Sequence, residues 1–288
     1  MDERSALTRL AGTLPDAGDD AAVVDGLVLT TDMLHESTDF PAGTTRYTAG
    51  WRAVAASLSD VAAMGGQAVA TVAVYGAPQF EWDELASFVD GASDVSASVD
   101  AEYVGGDLDG HEEFTIATTA LGRADPPVWR SGATPGDVVC VTGTLGWSAA
   151  ALRLFEAGEH GRANELFRFE PRIAAGRELA THATAMMDSS DGLARSLHQL
   201  AEASDCGFAI ESPLPVAAAL EDTVADADER RELSLFFGED FELVCTVPES
   251  HLPELRAATA VSLTPIGTVI EEEITLDGEP LPDRGYTH

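Results

Sequence analysis

The chain has 288 residues, and 50 Asp and Glu against 16 basic residues leave a formal net charge of −34. Every basic residue is arginine; lysine does not occur. This excludes nucleic acid or an anionic membrane as the main partner, since both need basic surface to displace counterions, and it excludes lysine-based mechanisms: Schiff bases, P-loops and the protein-kinase lysine.

The elements follow from periodicity. Leu27–Thr31 reads as a short apolar strand. Trp51, Val54, Ala55, Leu58, Val61 and Ala62 recur at the spacing of one helix face and predict a helix over Thr48–Met64, stopped by Gly65-Gly66. Ala68–Tyr75 is a β-branched strand, Trp82, Leu85, Phe88 and Val89 mark an amphipathic helix, and Glu102–Val104 and Phe114–Leu121 are further strands. The Pro- and Gly-rich stretch Ala124–Gly136 reads as a linker. Beyond it come strands at Val138–Val141, Ala183–Met187, Glu242–Val247 and Ser262–Val269, and helices at Trp147–Ala157, Arg172–Ala180, Gly192–Ala203 and near Glu249–Ala258. A hairpin turns at Asp277-Gly278. The expected fold class is α+β, with an N-terminal domain over 1–130 and a C-terminal domain over 131–288.

Cys140, Cys206 and Cys245 have no metal spacing; an odd count without a framework suits a reducing compartment. The N-terminus lacks the basic and apolar regions of a signal peptide, and no apolar run approaches ~20 residues, so a cytoplasmic location is expected. The simplest reading of the acidic, lysine-free composition is adaptation to a highly saline cytoplasm, where charge repulsion is screened.

Most acidic residues then belong to a solvated surface. A subset instead lies beside Gly, Ser or Thr at junctions between apolar elements: Gly18-Asp19-Asp20, Thr30-Thr31-Asp32, Leu58-Ser59-Asp60, Gly105-Gly106-Asp107, Asp188-Ser189-Ser190-Asp191-Gly192 and Gly238-Glu239-Asp240. Carboxylates framed by glycine suit a ligand that approaches the backbone closely. Several in one cleft would need cations, and oxygen-only donors suit Mg²⁺ shared with substrate phosphates. Spacing alone leaves their convergence open. Gly143-Thr144-Leu145-Gly146 before a helix reads as a turn, with phosphate binding at the helix N-terminus as the alternative.

Taken in order, these motifs resemble the thiamine-monophosphate kinases, of the superfamily that includes aminoimidazole ribonucleotide synthetase. The resemblance covers nearly the whole chain and extends to Arg130-Ser131-Gly132-Ala133-Thr134-Pro135-Gly136-Asp137 and Gly238-Glu239-Asp240-Phe241-Glu242-Leu243. It implies two α+β domains, a homodimer with paired N-terminal sheets, several Mg²⁺ ions, and transfer of a phosphoryl group from ATP to thiamine monophosphate. By motif, it implies Asp20, Thr30, Thr31, Asp32, Asp60, Asp107, Asp188 and Asp191 as metal residues. Gly106, Asp107, Arg130 and Ser190 would meet ATP; Asp39, Glu239 and Tyr286 would meet the thiamine side. Asp39 stands where the family has a histidine before the phenylalanine, here Phe40. The alternatives are another ATP-using enzyme of the superfamily and a non-enzymatic acidic cation-binding protein.

Overall fold

Side-chain alternation along one strand separates the two faces of the first sheet. In the computed structural model, which describes residues 9, 10, 12–14 and 17–286, strand β2 (Leu27–His35) buries Val28, Thr30 and Leu34 and exposes Leu29, Thr31 and Met33. With β1 (Ala22–Val24), β3 (Gln67–Ala77), β4 (Glu102–Gly110) and β5 (Thr115–Arg123) it forms a five-stranded sheet in the order β1-β2-β5-β3-β4. Only β3 and β4 are parallel.

After the single-turn α1 (Glu36–Asp39), helices α2 (Arg46–Ala63) and α3 (Trp82–Ser98) pack on each other and on the buried face of this sheet. Thr45 caps α2 by accepting from the Thr48 N–H. Two glycines set the approach of the helices. A Cβ on Gly50 would lie 2.1 Å from the Phe88 carbonyl, and one on Gly91 2.0 Å from the Tyr47 carbonyl.

The second sheet has seven strands: β6 (Val138–Thr142), β7 (Ala185–Asp188), β8 (Gly207–Ile210), β9 (Leu243–Val247), β10 (Leu263–Ile270), β11 (Ile274–Leu276) and β12 (Glu279–Pro280). Their order is β12-β11-β8-β10-β6-β9-β7. β7 and β9 are buried throughout and β6 almost so, which is why they read as continuous apolar runs. Cys140 faces Cys245 across β6 and β9, both as free thiols, and burial pushes the Cys140 thiol up to about 12. Around the sheet lie α4 (Trp147–Glu156), α5 (His160–Phe167), α6 (Ile173–Leu179), α7 (Leu193–Ser204), α8 (Ala218–Thr223), α9 (Ala227–Phe236) and α10 (Leu252–Ala258).

Both halves are therefore α+β, as the sequence suggests. One apolar core runs between them: Ala53, Leu58 and Ala62 of α2 belong to the same cluster as Phe167, Ile173, Leu179 and Met186. At this seam a Cβ on Gly176 would lie 2.2 Å from the Ala62 carbonyl. Periodicity did not anticipate β1, β8, α5, α8 or α9, which are short or polar; α9 reads Ala-Asp-Glu-Arg-Arg-Glu-Leu-Ser-Leu-Phe. No helix of the described residues is long and apolar enough to cross a membrane.

Candidate functional site

Three carboxylates from distant segments meet at the seam. Asp20 follows the Gly18 turn, Asp60 comes from α2, and Asp188 ends β7; their ligand oxygens lie within 4.8 Å of one another. Two such charges ~5 Å apart repel by about 3 kcal/mol at an effective dielectric of ~20. Burial, then Asp20, push the Asp188 carboxyl up to about 7. Burial, then Asp32, Asp188 and Asp20, push Asp60 well above the usual carboxylate range. Asp19 rises to about 6 through burial and Asp20.

Arg130 grips Asp20 with two bonds, Nε to Oδ2 at 3.1 Å and Nη2 to Oδ1 at 3.0 Å. Burial works against its charge, but Asp20, Asp19 and Asp188 raise its pKa above the ordinary value. Among the described residues no salt bridge reaches Asp60 or Asp188. Hydroxyls and an amide hold them instead: Thr30 Oγ1 donates to Asp60, Ser59 Oγ to Asp188 Oδ2 at 2.6 Å, and the Ser190 N–H to Asp188 Oδ1 at 3.2 Å. Asp32 lies on the helix-facing side of β2 and accepts from Ser57 Oγ at 2.6 Å.

Three predicted side chains, those of Thr31, Asp107 and Asp191, do not join the cluster. Thr31 faces the opposite side of β2, because successive side chains alternate, and its hydroxyl donates to the Thr118 carbonyl at 2.8 Å. Only its main chain remains available on the cluster side. Asp107 is exposed on the edge strand β4 and shares a row with Val74, Ala117 and Met33. Three strand spacings put it about 14 Å from β2. Gly106 lies in the neighbouring row with Asp32, where a Cβ would lie 1.7 Å from the Ala73 carbonyl. Asp107 and Gly106 line a cavity of about 820 Å³ with Trp82, Tyr103, Val104 and Leu108. Asp191 stands beyond the three-carboxylate cluster, and its carbonyl accepts from the Tyr286 N–H at 3.0 Å.

Asp39 and Glu239 lie close enough to Tyr286 for their charges to act on its hydroxyl. The Tyr286 hydroxyl is raised by burial and then by the charges of Glu239 and Asp39, with Arg52 opposing. Asp39 Oδ2 accepts from the His35 N–H and from Thr38 Oγ1, each at 2.7 Å. The Glu239 N–H donates to the Ser190 carbonyl at 2.6 Å, and the Ser190 N–H donates to Asp188, which ties Glu239 to the carboxylate cluster. Gly238 has φ +79, and a Cβ there would lie 2.5 Å from the Ser190 carbonyl, so glycine is required. The tail is docked through Tyr286, whose ring lies 5.9 Å from that of Phe237.

Gly143–Gly146 joins β6 to α4 as a bend in which Leu145 bridges to Val216. The α4 N-terminus is capped by Asp240, which accepts from the Gly146 N–H at 2.5 Å and the Ser148 N–H at 3.1 Å. Burial pushes Asp240 up to about 7 against these bonds. Motif reading did not single out Arg52 or Ser57, and it gave Asp240 no role of its own within Gly238-Glu239-Asp240. The signal for Arg52 was a single charge in the otherwise uncharged stretch Tyr47–Ser59. A second cluster, His182, His251 and Glu254, lies apart. Its imidazoles stack 3.8 Å apart at 12°, so no nearby point lies in both ring planes, as a shared metal requires.

The AIR synthase related protein N-terminal domain family matches residues 18–124, and the corresponding C-terminal domain family matches 134–278. The chain is 62% identical to the thiamine-monophosphate kinase of Halobacterium salinarum, covering 100% of both chains. It is 41% identical to that of Methanospirillum hungatei, covering 94% of this chain and 92% of the relative. Among solved structures, AaThiL complexed with AMPPCP and TMP superposes with a TM-score of 0.91 at 30% identity, covering 100% of this chain and 97% of that one. Sequence, fold and the ordered acidic motifs agree: the chain belongs to the thiamine-monophosphate kinases of the AIR synthase related family.

Proposed function

We propose that this chain transfers the terminal phosphoryl group of ATP directly to thiamine monophosphate, giving thiamine diphosphate. The observation that carries the proposal is the meeting of Asp20, Asp60 and Asp188, from both halves of the fold, joined by two hydrogen bonds through Ser190 to Glu239, whose charge with that of Asp39 acts on Tyr286. The similarity to AaThiL complexed with AMPPCP and TMP supports both substrates.

The crowded oxygen-only donors, with carboxyls raised by burial and mutual repulsion, fit hard divalent cations. Asp20, Asp32, Asp60 and Asp188, the Thr30 hydroxyl and the Thr31 main chain would hold Mg²⁺, with Asp191 and Asp107 serving further ions toward the nucleotide. Bound there, Mg²⁺ supplies positive charge that offsets repulsion between the triphosphate and the acceptor phosphate. Arg130 and Ser190 meet the ATP phosphates. Gly106 and Asp107 meet the nucleotide at the cavity beside β4, whose apolar wall of Trp82, Tyr103 and Val104 suits the base. The acceptor is a phosphate, largely ionised near neutral pH, so no residue need act as a strong base or carry the phosphoryl group. Tyr286 offers a plate to the thiazolium, and Glu239 and Asp39 offer charge to its amine side.

The exposed face of the first sheet, with Leu29, Met33 and Val74, pairs with a second copy. The domain boundary falls at 130/131, and the enzyme works in a salt-rich cytoplasm; similarity to the Halobacterium protein supports the latter. The test is incubation with ATP, Mg²⁺ and thiamine monophosphate in molar KCl. Thiamine diphosphate and ADP in equal amounts are expected. ATP turnover on another acceptor alone would assign a different activity of the superfamily, and failure to bind Mg·ATP would favour a cation-binding protein.

A further inference from the structure

Arg52 of α2 is 1% exposed, the largest fully buried side chain among the described residues. It reaches from the first half into the second. Nη1 donates to the Phe167 carbonyl at 2.8 Å. Nη2 donates to Ser148 Oγ at 3.1 Å, to the Glu239 carbonyl at 3.2 Å and to Glu239 Oε2 at 2.5 Å. The guanidinium carbon lies 3.7 Å from the centroid of Phe167, with Phe169 and Phe241 at 5.5 and 5.6 Å. Only its Nε finds no acceptor among the described residues. Removing a cation from water in this way is costly, and an apolar side chain would satisfy packing alone.

What Arg52 grips is a segment with unusual backbone. Glu239 and Phe241 are non-glycine residues at φ +63 and +53, next to Gly238. Such a conformation persists only when its surroundings over-determine it. Here Asp240 caps α4, Ser148 Oγ donates to the Glu239 carbonyl at 2.5 Å, and Arg52 takes the side chain. Arg52 and Ser59 are seven residues apart, close to two helical turns, and so share a face of α2. Ser59 holds Asp188. One helix face thus fixes a carboxylate of the metal cluster and the carboxylate of the acceptor pocket.

We propose that Arg52 is a positioning residue: it aims Glu239 at the acceptor and keeps the acceptor pocket in register with the metal cluster. This rests on Glu239 being an acceptor contact. Arg52 does not touch substrate. Its forked donors serve Phe167, Ser148 and Glu239 together, which a lysine ammonium matches in charge but not in spread.

The test is a KM and kcat comparison of wild type, Arg52→Met, Arg52→Lys, Glu239→Gln and the Arg52→Met/Glu239→Gln double variant, in molar KCl at saturating Mg²⁺, with melting curves to verify folding. Arg52→Met should raise KM for thiamine monophosphate at least ten-fold and leave KM for ATP within two-fold. Arg52→Lys should show an intermediate rise of about three-fold. On the Glu239→Gln background, Arg52→Met should add less than two-fold. The proposal is overturned if Arg52→Met leaves the acceptor KM within two-fold, raises both KM values alike, or multiplies with Glu239→Gln. If Arg52→Met does not fold, Arg52→Lys decides, alone and paired with Glu239→Gln: no rise alone, or an undiminished rise on that background, overturns it. A Glu239→Gln variant with unchanged acceptor KM removes the Glu239 reading itself, whereas a rise there with none in the Arg52 variants removes only the role of Arg52.

Discussion

Replacing Asp188 by Asn should stabilise the fold in the absence of divalent cations and abolish phosphoryl transfer in their presence. The folded-state carboxyl titrates at about 7 against an ordinary 3.8, because burial and Asp20 disfavour its charge. At 1.36 kcal/mol per unit, this difference of about 3 units corresponds to roughly 4 kcal/mol. The sign follows from the raised folded pKa. The cost is absent below about pH 4, grows as pH rises toward 7, and is fully present above 7. Asn removes the charge and keeps the local bonds: its carbonyl accepts from the Ser190 N–H, and the Ser59 hydroxyl turns to accept from its amide. Melting in molar KCl with EDTA should therefore place Asp188→Asn several degrees above wild type at pH 8, with the gap closing toward pH 4. Adding Mg²⁺ should raise the wild-type melting temperature through linkage and move the variant much less. The variant should retain less than a tenth of wild-type kcat, a barrier change above about 1.4 kcal/mol. A variant that melts below wild type at pH 8 in EDTA, or keeps more than a tenth of kcat, would refute the reasoning.

Tyr286→Ala should raise KM for thiamine monophosphate several-fold and leave KM for ATP nearly unchanged, since a cation on an aromatic face contributes ~0.5–2 kcal/mol; steady-state kinetics in molar KCl checks it, and an acceptor KM within two-fold of wild type would make Tyr286 only an anchor for the tail. A net charge of −34 should make melting temperature climb with KCl as the screening length falls from ~10 Å at 0.1 M to ~3 Å at 1 M; a flat profile between 0.1 and 2 M would remove the salt-adaptation reading. Light scattering should give about twice 30.2 kDa, and Met33→Glu on the open face of the first sheet should shift the mass toward the monomer; an unshifted mass would place the interface elsewhere.

Much of the fold was legible because its elements are strongly periodic. Helix α2 begins two residues earlier than the apolar spacing suggests because Thr45 caps it, and α3 matches its apolar stripe. Strand β2 extends past Thr31 to His35, since Leu34 returns to the core and Asp32 is held by Ser57. β4 runs on through Gly105 to Gly110 because β3 lends it a ladder that its own glycines and aspartates do not announce. Alternation within Thr30-Thr31-Asp32 already implies that Thr31 faces away from its neighbours, a conclusion that motif matching passes over. The meeting of Asp20, Asp60 and Asp188 is different. It depends on how α2 packs between two sheets, so it could be inferred from resemblance but not from spacing. Arg52 was hidden for a related reason: its partners lie 115 and 187 residues away, and no local pattern records them.

The claim that the two carboxylate groups serve one direct transfer is tested most simply with ATP made chiral at its γ-phosphorus. With Mg²⁺ and thiamine monophosphate in molar KCl, the account predicts thiamine diphosphate whose terminal phosphorus has inverted configuration. Retention, which requires a phosphoenzyme, or the absence of thiamine diphosphate would contradict it.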